Sequence, residues 1–197
     1  MEAWNDEELV AACRRRDPEA FGVLVRRHQK TMLNLAYRML GNLEEACEVV
    51  QDAFLAAHRG LDRFRGEARF TTWLTAITLN QARNRLARLK PLRRRETYSL
   101  DAPIATPDGT VRPDPPSSAP GPLELLEQQA LRSRLEGCIQ ALAEAFREVL
   151  VLRDLQDRSY DEIGALLNVR VGTVKSRLFR ARDHVRACLE RAPGGSP

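Results

Sequence analysis

The proline-rich stretch from residue 96 to residue 122 constrains the fold of this chain more than any other feature. Seven of the eleven prolines fall in it, among Gly, Ser, Thr and Ala. Proline lacks the backbone N–H that a helix needs, so this composition predicts an extended, flexible linker. The stretch carries four acidic residues against Arg112 alone. That excess of acid either keeps the linker solvated or suits a basic channel in a partner.

The half before the linker has clear helix signals. Asn5 with Glu8 forms a capping box, and Asp17 before Pro18 is a helix start. Gly41 suits a left-handed helix end. The predicted helices begin after Asn5, at Pro18, after Asn42 and near Phe70; the second ends at about Leu40, the third at about Arg59, and the fourth at Pro91.

The half after the linker is also helical. Helices are predicted for residues 123–139 and 143–154, and Ser159 with Glu162 forms a second capping box. Asn168 suits a left-handed turn before a last helix that begins near Val171. The fold class is therefore all-α, with two small helical domains and a helix-turn-helix in the second. The predicted boundaries are residues 1–95, the linker 96–122, residues 123–190 and a tail at 191–197.

Composition limits the class of protein. Hydrophobic residues make up 43% and charged residues 29% of the chain, values typical of a soluble protein with packed cores. The N-terminus has no secretory signal and no apolar run could span a bilayer, so a cytoplasmic location is expected. The four cysteines show no metal-ligand spacing, and buried free thiols are favoured over a redox or metal role. They are Cys13, Cys47, Cys138 and Cys188.

The first candidate site combines aromatic rings with positive charge. Phe64, Phe70 and Trp73 surround a turn at Gly66, and the helix that follows ends in seven basic residues without an acid. Rings that stack on an unpaired base, beside cations that hold the backbone, are typical of single-strand capture. The alternative is that Trp73 belongs to the core and that one phenylalanine only anchors the loop. The basic residues are Arg83, Arg85, Arg88, Lys90, Arg93, Arg94 and Arg95.

The second candidate site is the last helix. A buried stripe is predicted at Val174, Leu178, Ala181 and Val185, which leaves another face exposed. Arg177 and Arg180 lie on that face and could pair with guanine or phosphate in a major groove. The alternative is a solvated arginine face on an ordinary surface helix.

Several fragments in this order resemble the extracytoplasmic-function class of bacterial RNA polymerase sigma factors, over about residues 6–189. The fragments of the first half are Asp17-Pro18-Glu19-Ala20-Phe21, Gln51-Asp52-Ala53-Phe54, Phe64-Arg65-Gly66 and Thr72-Trp73-Leu74 with Ile77 and Asn80. Those of the second half are Ser159-Tyr160-Asp161-Glu162-Ile163 and Gly172-Thr173-Val174-Lys175-Ser176-Arg177-Leu178-Phe179-Arg180-Ala181-Arg182.

The resemblance implies a subunit that gives core polymerase its promoter choice in a stress or envelope response. The −10 element of the promoter would be opened and held by Phe64, Arg65, Gly66, Ala68, Phe70, Trp73, Asn80, Arg83, Asn84 and Arg88. The −35 element of the promoter would be read as duplex by Arg170, Thr173, Lys175, Ser176, Arg177 and Arg180. Glu48, Gln51 and Asp52 would dock on the clamp of the largest polymerase subunit, and the helix around 146–152 would lie near the flap of the second-largest.

The resemblance also implies control by an anti-sigma factor, no cofactor or metal, and no membrane insertion. Three residues depart from the family pattern: Arg170 replaces a usual serine or proline, Gly164 replaces an alanine at a cost of about 1 kcal/mol, and Ala143 replaces a common proline. The main alternative function is a stand-alone helix-turn-helix regulator. Catalysis is not expected, because the histidines are scattered and no nucleophile lies beside a base. The histidines are His28, His58 and His184.

Overall fold

A computed structural model of the protein describes residues 4–96 and 122–191. Within these ranges every regular element is helical, as the sequence predicts. The predicted linker, apart from its two end residues, and positions 192–197 of the predicted tail lie outside the described residues. The helices are α1 (Asp6–Arg14), α2 (Pro18–Leu40), α3 (Leu43–Gly60), α4 (Phe70–Glu96), α5 (Pro122–Gln140), α6 (Glu144–Leu150), α7 (Tyr160–Leu167) and α8 (Val171–Glu190).

Side-chain caps fix the starts of α1, α2 and α3, as predicted. Asn5 Oδ1 accepts the Glu8 N–H at 2.8 Å, and the Glu8 carboxylate accepts the Asn5 N–H at 2.8 Å. Asp17 and Asn42 cap α2 and α3 in the same way, each through one side-chain oxygen. These bonds satisfy N–H groups that have no partner inside the helix.

The prediction that Pro91 ends the fourth helix is wrong, because α4 continues to Glu96. A proline in a helix interior removes one backbone hydrogen bond and costs about 3 kcal/mol. Here it comes late in a long helix whose earlier turns are fixed by buried Leu74, Leu79 and Leu86. Packing of those turns compensates for the single missing bond.

The second half keeps the predicted helices with one change in winding. After α6, residues Val151–Leu155 form a π-helical segment instead of continuing the α-helix. The capping box of Ser159 and Glu162 is present at the start of α7, and Asn168 adopts the predicted left-handed conformation at its end with φ 53°. Asn168 thus provides the tight turn that places α8 after α7.

One apolar core runs through both halves. Helices α1–α4 pack as a bundle, and α5, α6 and α7 each pack on α8. The two groups also touch each other, since α2 contacts α5, α6 and the π-helical segment, and α4 contacts α7. The two halves therefore lie against one another.

The prediction of buried free thiols is wrong for Cys138 and Cys188, and for Cys13 and Cys47 it is confirmed only in that both thiols are free. Cys138 of α5 and Cys188 of α8 form a disulfide with a Cα–Cα distance of 5.8 Å. Cys13 and Cys47 are free, but the first is only half-buried and the second is exposed. The pair lies 50 residues apart in the sequence and meets only because α5 packs along α8. Spacing in the sequence gives no sign of it.

The helices of residues 4–96 and 122–191 include none that combines the length and apolar character needed to cross a bilayer.

Replacing Gly41 by alanine is expected to lower the free energy of unfolding by about 1–2 kcal/mol. Gly41 has φ +73°, and a Cβ there would lie 2.8 Å from Cδ of Gln140 in α5. The matched control is Gly22→Ala inside the same helix, where a Cβ would meet only the flexible Arg26 side chain at 3.5 Å. The control should gain up to about 1 kcal/mol from helix propensity. Urea unfolding of both variants measures the difference, and a stability gain in Gly41→Ala would contradict this account.

Candidate nucleic-acid interfaces

The loop between the 3₁₀ turn (Leu61–Arg63) and α4 is held by a cation from α1. Arg14 donates from Nε to the Leu61 carbonyl at 3.4 Å and from Nη2 to the Phe64 carbonyl. Gly66 lies at the tip of the loop with φ +76°. A left-handed turn of this kind favours glycine and leaves the flanking side chains on the surface.

The three predicted aromatic residues form one cluster with unequal exposure. The ring centroids of Phe64 and Trp73 lie 4.8 Å apart, and those of Phe64 and Phe70 lie 6.1 Å apart. Phe70 is only 2% exposed and also contacts the His28 ring at 5.6 Å. Phe70 therefore anchors the loop in this arrangement, as the alternative interpretation allowed for one of the phenylalanines. Phe64 and Trp73 stay half-buried and accessible.

These rings line a groove of about 400 Å³ beside the loop. The predicted loop residues Arg65, Gly66 and Ala68 line it, together with Arg63, which the sequence analysis did not select. Arg63 is exposed and directly precedes Phe64, so its place in the basic loop was the signal that could have identified it. The groove thus combines two ring surfaces with two exposed cations.

A polar ridge of α4 continues from the groove. Ala76 lines the groove, and Asn80, Asn84 and Arg88 follow it at steps of four residues, which places all four on one helix face. The last three are exposed. This ridge carries three of the predicted contacts to the −10 strand.

Arg83 was also predicted to contact the −10 strand, but it is already paired with a residue of the second half. Its Nε donates to the carboxylate of Glu148 in α6, and Glu148 is only 5% exposed. The hydrogen bond to Glu148 raises the pKa of Arg83. A carboxylate of the second half therefore pairs with Arg83, one of the cations predicted to bind DNA.

The groove is also bordered by the second half. Ala165 and Leu166 of α7 form its opposite wall. Next to it, Arg158 donates to the hydroxyls of Thr72 and Thr75 on α4, each at 3.4 Å. In this arrangement, α7 narrows the space beside Phe64 and Trp73 without covering either ring.

The strongest contact between the halves lies at the C-terminus of α2. Arg147 of α6 is 8% exposed and donates to the carbonyls of Met39 at 2.5 Å and Leu142 at 3.0 Å, and also to that of Gln140. Gln140 Nε2 in turn donates to the Arg38 carbonyl at 2.7 Å. The bonds to Met39 and Arg38 satisfy carbonyls in the last turn of α2, where the helix itself supplies no donors, and the cation suits the negative end of the helix.

Helix α5 adds two more bonds to the same end of α2. Glu136 accepts from the Tyr37 hydroxyl at 3.1 Å and pairs with Arg38 at 2.9 Å. Burial and the Glu136 charge raise the pKa of Tyr37. The phenol therefore stays protonated and donates its hydrogen bond to the carboxylate.

The helix-turn-helix of α7 and α8 has the predicted phasing. Val174, Leu178 and Ala181 are buried and Val185 is half-buried, so they pack α8 on its neighbours. Of the predicted −35 contacts, Arg170, Lys175, Ser176 and Arg180 are exposed, and Thr173 and Arg177 are half-buried. The turn therefore presents a basic helix face, beginning at Arg170, to the surface.

Gly164 serves this turn instead of weakening α7. A Cβ at this position would lie 2.9 Å from the Val169 carbonyl oxygen, and the Val169 N–H bonds to the Gly164 carbonyl at 2.9 Å. The close approach of the two backbone segments requires glycine. The departure from the family pattern is therefore a packing feature, which helix propensity could not show.

Phe179 is an exposed residue that the sequence analysis did not place in a site. Its side chain is 73% exposed and lines a groove of about 560 Å³ with Tyr160, Lys175 and Arg182. The Lys175 ammonium lies 5.8 Å from the centre of the Tyr160 ring. An apolar residue out of phase with the buried stripe was the signal in the sequence.

The predicted docking residues Glu48, Gln51 and Asp52 are all exposed on α3. Arg85 of α4 pairs with Glu48 at 2.7 Å, so part of the acidic charge is neutralised. Next to these residues lies a groove of about 800 Å³. Phe21, Val25, Leu33, Val50, Gln51, Phe54 and Leu55 are among the residues that line it.

Comparison with known proteins assigns each half separately. The model of Sigma-70 region 2 matches residues 24–91, and the model of Sigma-70, region 4 matches residues 132–185. A stand-alone helix-turn-helix regulator would account only for the second match. That alternative is therefore not favoured.

Curated relatives match over almost the whole chain. The RNA polymerase sigma-H factor of Pseudomonas aeruginosa is 35% identical and covers 94% of each chain. The ECF RNA polymerase sigma-E factor of Escherichia coli is 34% identical and covers 93% of this chain and 94% of its own.

Two solved structures are also similar to this chain over most of its length. CnrH in complex with the cytosolic domain of CnrY matches with a TM-score of 0.62 and 28% identity, covering 94% of this chain and 97% of CnrH. The sigma factor RpoE in complex with the anti-sigma factor NepR from Bartonella quintana has a TM-score of 0.59 at 21% identity, covers 88% of this chain and 98% of its own, and is alike in fold.

Replacing Arg147 by alanine is expected to lower the free energy of unfolding by about 2–4 kcal/mol, since it leaves buried carbonyls of both halves without their donor. The same variant should also expand the molecule, as read from its radius of gyration in small-angle scattering. Arg186→Ala is the control, because Arg186 pairs with Asp183 on the surface, where both side chains are more than half exposed. The control should change stability by less than about 1 kcal/mol. Equal effects of the two substitutions would show that Arg147 does not hold the halves together.

Proposed function

This chain belongs to the extracytoplasmic-function class of RNA polymerase sigma factors and is an alternative sigma factor, and we propose how its two halves divide the work. Residues 1–95 bind and open the −10 promoter element. Residues 123–190 bind the −35 element as intact duplex. Residues 96–122 connect the two, and 191–197 form a tail.

The observation that carries this proposal is the presence of two different nucleic-acid surfaces on one chain. The groove at Phe64 and Trp73 offers ring faces with cations beside them, which suits an unstacked base. The exposed face of α8 offers arginines on a helix, which suits the edges of paired bases. A protein that opens one element and reads another needs both surfaces.

In the first half, we propose that an unpaired base stacks on Phe64 and Trp73. The cations Arg63 and Arg65 and the ridge of α4 hold the strand that leads to it. Phe70 supports the loop from beneath and does not stack on the base. Extruding a base costs a few kcal/mol, which ring contacts and phosphate contacts together offset.

In the second half, Arg177 and Arg180 read bases in the major groove, and Lys175 holds a phosphate. Thr173 and Ser176 lie on the same side of α8 as these arginines. Arg170 is the exposed residue directly before α8, from where its guanidinium can reach phosphate or base. A bidentate arginine contact contributes about 1–3 kcal/mol of discrimination against a wrong base.

The partner is core RNA polymerase. We propose that Glu48, Gln51 and Asp52, with the adjoining apolar groove between α2 and α3, dock on the clamp of the largest subunit. The helix α6 with the π-helical segment lies near the flap of the second-largest subunit. Docking at two separate places pulls the halves apart and widens the Phe64 groove.

An anti-sigma factor is the second proposed partner. The similar structure of RpoE is of a sigma factor bound by the anti-sigma factor NepR, and the similar structure of CnrH is of a complex with the cytosolic domain of CnrY. A partner of this kind would stabilise the closed arrangement, in which the two halves touch and α7 lines one side of the groove. We propose a cytoplasmic protein that uses no cofactor and performs no bond chemistry of its own.

The decisive experiment mixes the full chain with core polymerase and maps transcript starts on genomic DNA in vitro. Start sites that share two sequence elements at a fixed spacing, and that core polymerase alone does not use, support the proposal. Tight operator binding without polymerase, together with no new start sites, would overturn it.

Arg177→Ala is expected to weaken binding to the upstream element about 10-fold or more and to relax base preference at one position, since it removes a base contact. The matched control is Arg186→Ala, which removes the same charge from the opposite side of α8. Binding to a library of promoter duplexes by the polymerase complex measures both variants. Unchanged preference in Arg177→Ala would remove this residue from base reading.

The double variant Phe64→Ala with Asn80→Ala is expected to slow strand opening by about 10-fold or more while binding of core polymerase stays within about twofold. Phe64 supplies ring stacking and Asn80 a polar contact, and neither lies on α3, where docking is proposed. Opening is read from a fluorescent base in the −10 element, and polymerase affinity from titration of labelled protein. Equal losses in the two measurements would indicate misfolding instead of a role in opening.

A further inference from the structure

We propose that Cys138 and Cys188 form a redox-modifiable site, which a dithiol reductant opens and which controls how firmly α5 ties the two halves together. This inference concerns regulation and rests on the proposed function only in its last experimental step.

Helix α5 stands between the two halves and uses opposite faces for them. Cys138 and Arg134 lie one turn apart and face α8: Cys138 bonds to Cys188, and Arg134 donates to the carbonyl of Leu189. Glu136 and Gln140 lie on the other side of α5 and bond to α2. A chain of contacts therefore runs from α8 through α5 to the end of α2.

The seam between α5 and α8 is incompletely packed next to the disulfide. A groove of about 520 Å³ lies along it, lined by Leu135, Ile139, Val185 and Leu189 among others. Fewer side-chain contacts hold α5 where this groove is open, so the covalent bond carries more of the attachment. Opening the bond gives α5 room to shift into the groove and away from α2.

The two sulfurs differ in access. Cys138 is 4% exposed, whereas Cys188 is half-buried near the end of α8. A reductant thiolate therefore attacks the Cys188 sulfur and releases the thiolate of Cys138. Arg134, which meets α8 at the residue after Cys188, is a cation of the kind that favours such a leaving thiolate.

The step balances with one dithiol. Its first thiolate forms a mixed disulfide with Cys188, its second thiol displaces the Cys188 thiolate, and the reductant leaves as its own disulfide. Two electrons pass to the protein, and both cysteines end as thiols after taking up two protons. Thiols are kept reduced in the cytosol, so a disulfide in a protein that serves RNA polymerase is more consistent with redox sensing than with a permanent staple.

The test uses the full chain in mixtures of reduced and oxidised dithiothreitol. Alkylation and mass measurement give the fraction of Cys138 and Cys188 present as thiols. Amide hydrogen exchange is then followed in α5 and in the last turn of α2. We expect exchange in both places to speed up about 10-fold or more as the disulfide opens.

Two variants make the result specific. Cys13→Ser with Cys47→Ser keeps the disulfide and should respond like the natural chain. Cys138→Ser with Cys188→Ser should exchange fast at all ratios and not respond. If this second variant does not fold, the natural chain at full reduction provides the same reading. A disulfide that never forms in oxidised dithiothreitol would overturn the proposal, and so would one that opens without faster exchange in α5 and α2.

A final step measures promoter-directed transcription with core polymerase in both redox states. The reduced protein is expected to give at least about threefold more transcript, since its halves separate more easily. Equal transcription in the two states would overturn the regulatory role. No promoter-directed transcript in either state would count against the proposed function itself, while the exchange measurement would still decide on the redox site.

Discussion

The C-terminus of α2 is the point on which the closed arrangement depends. A helix end leaves carbonyls without partners, and here donors from the other half supply them. Arg147 reaches the Met39 carbonyl, and Gln140 reaches that of Arg38. Gly41 makes this possible, because a side chain at that position would collide with Gln140. Backbone groups of the first half are thus satisfied by side chains of the second.

The closed arrangement has a cost in function, because some of its polar contacts use groups of the proposed DNA surface. Arg83 and the Phe64 groove face the second half, and both belong to the surface proposed to hold single-stranded DNA. Contacts made by arginines with carboxylates, carbonyls and hydroxyls can be exchanged for contacts with phosphate and water. A purely apolar interface of the same size would be harder to open.

The sequence predicted where the candidate sites lie, but not which of their side chains are buried or already paired. The loop at Phe64 lies between the third and fourth helices as predicted, and the ridge of Asn80 and Asn84 and the basic face of α8 lie where helical periodicity placed them. Sequence reasoning missed Arg63 and Phe179, and it could not tell that Phe70 would be buried or that Arg83 would face Glu148. Exposure of a ring and the partner of a charge depend on what packs over them, which one-dimensional patterns do not contain.

By itself the sequence determined most of the helices, their caps and the family, because these follow from interactions between residues a few positions apart or from ordered motifs. Only the tertiary structure decided that α4 continues past Pro91, that Gly164 is required by the turn, that Cys138 meets Cys188, and that the halves close on each other. Each of these outcomes is set by contacts between segments far apart in the chain. Their free energy arises only when the whole fold brings the segments together.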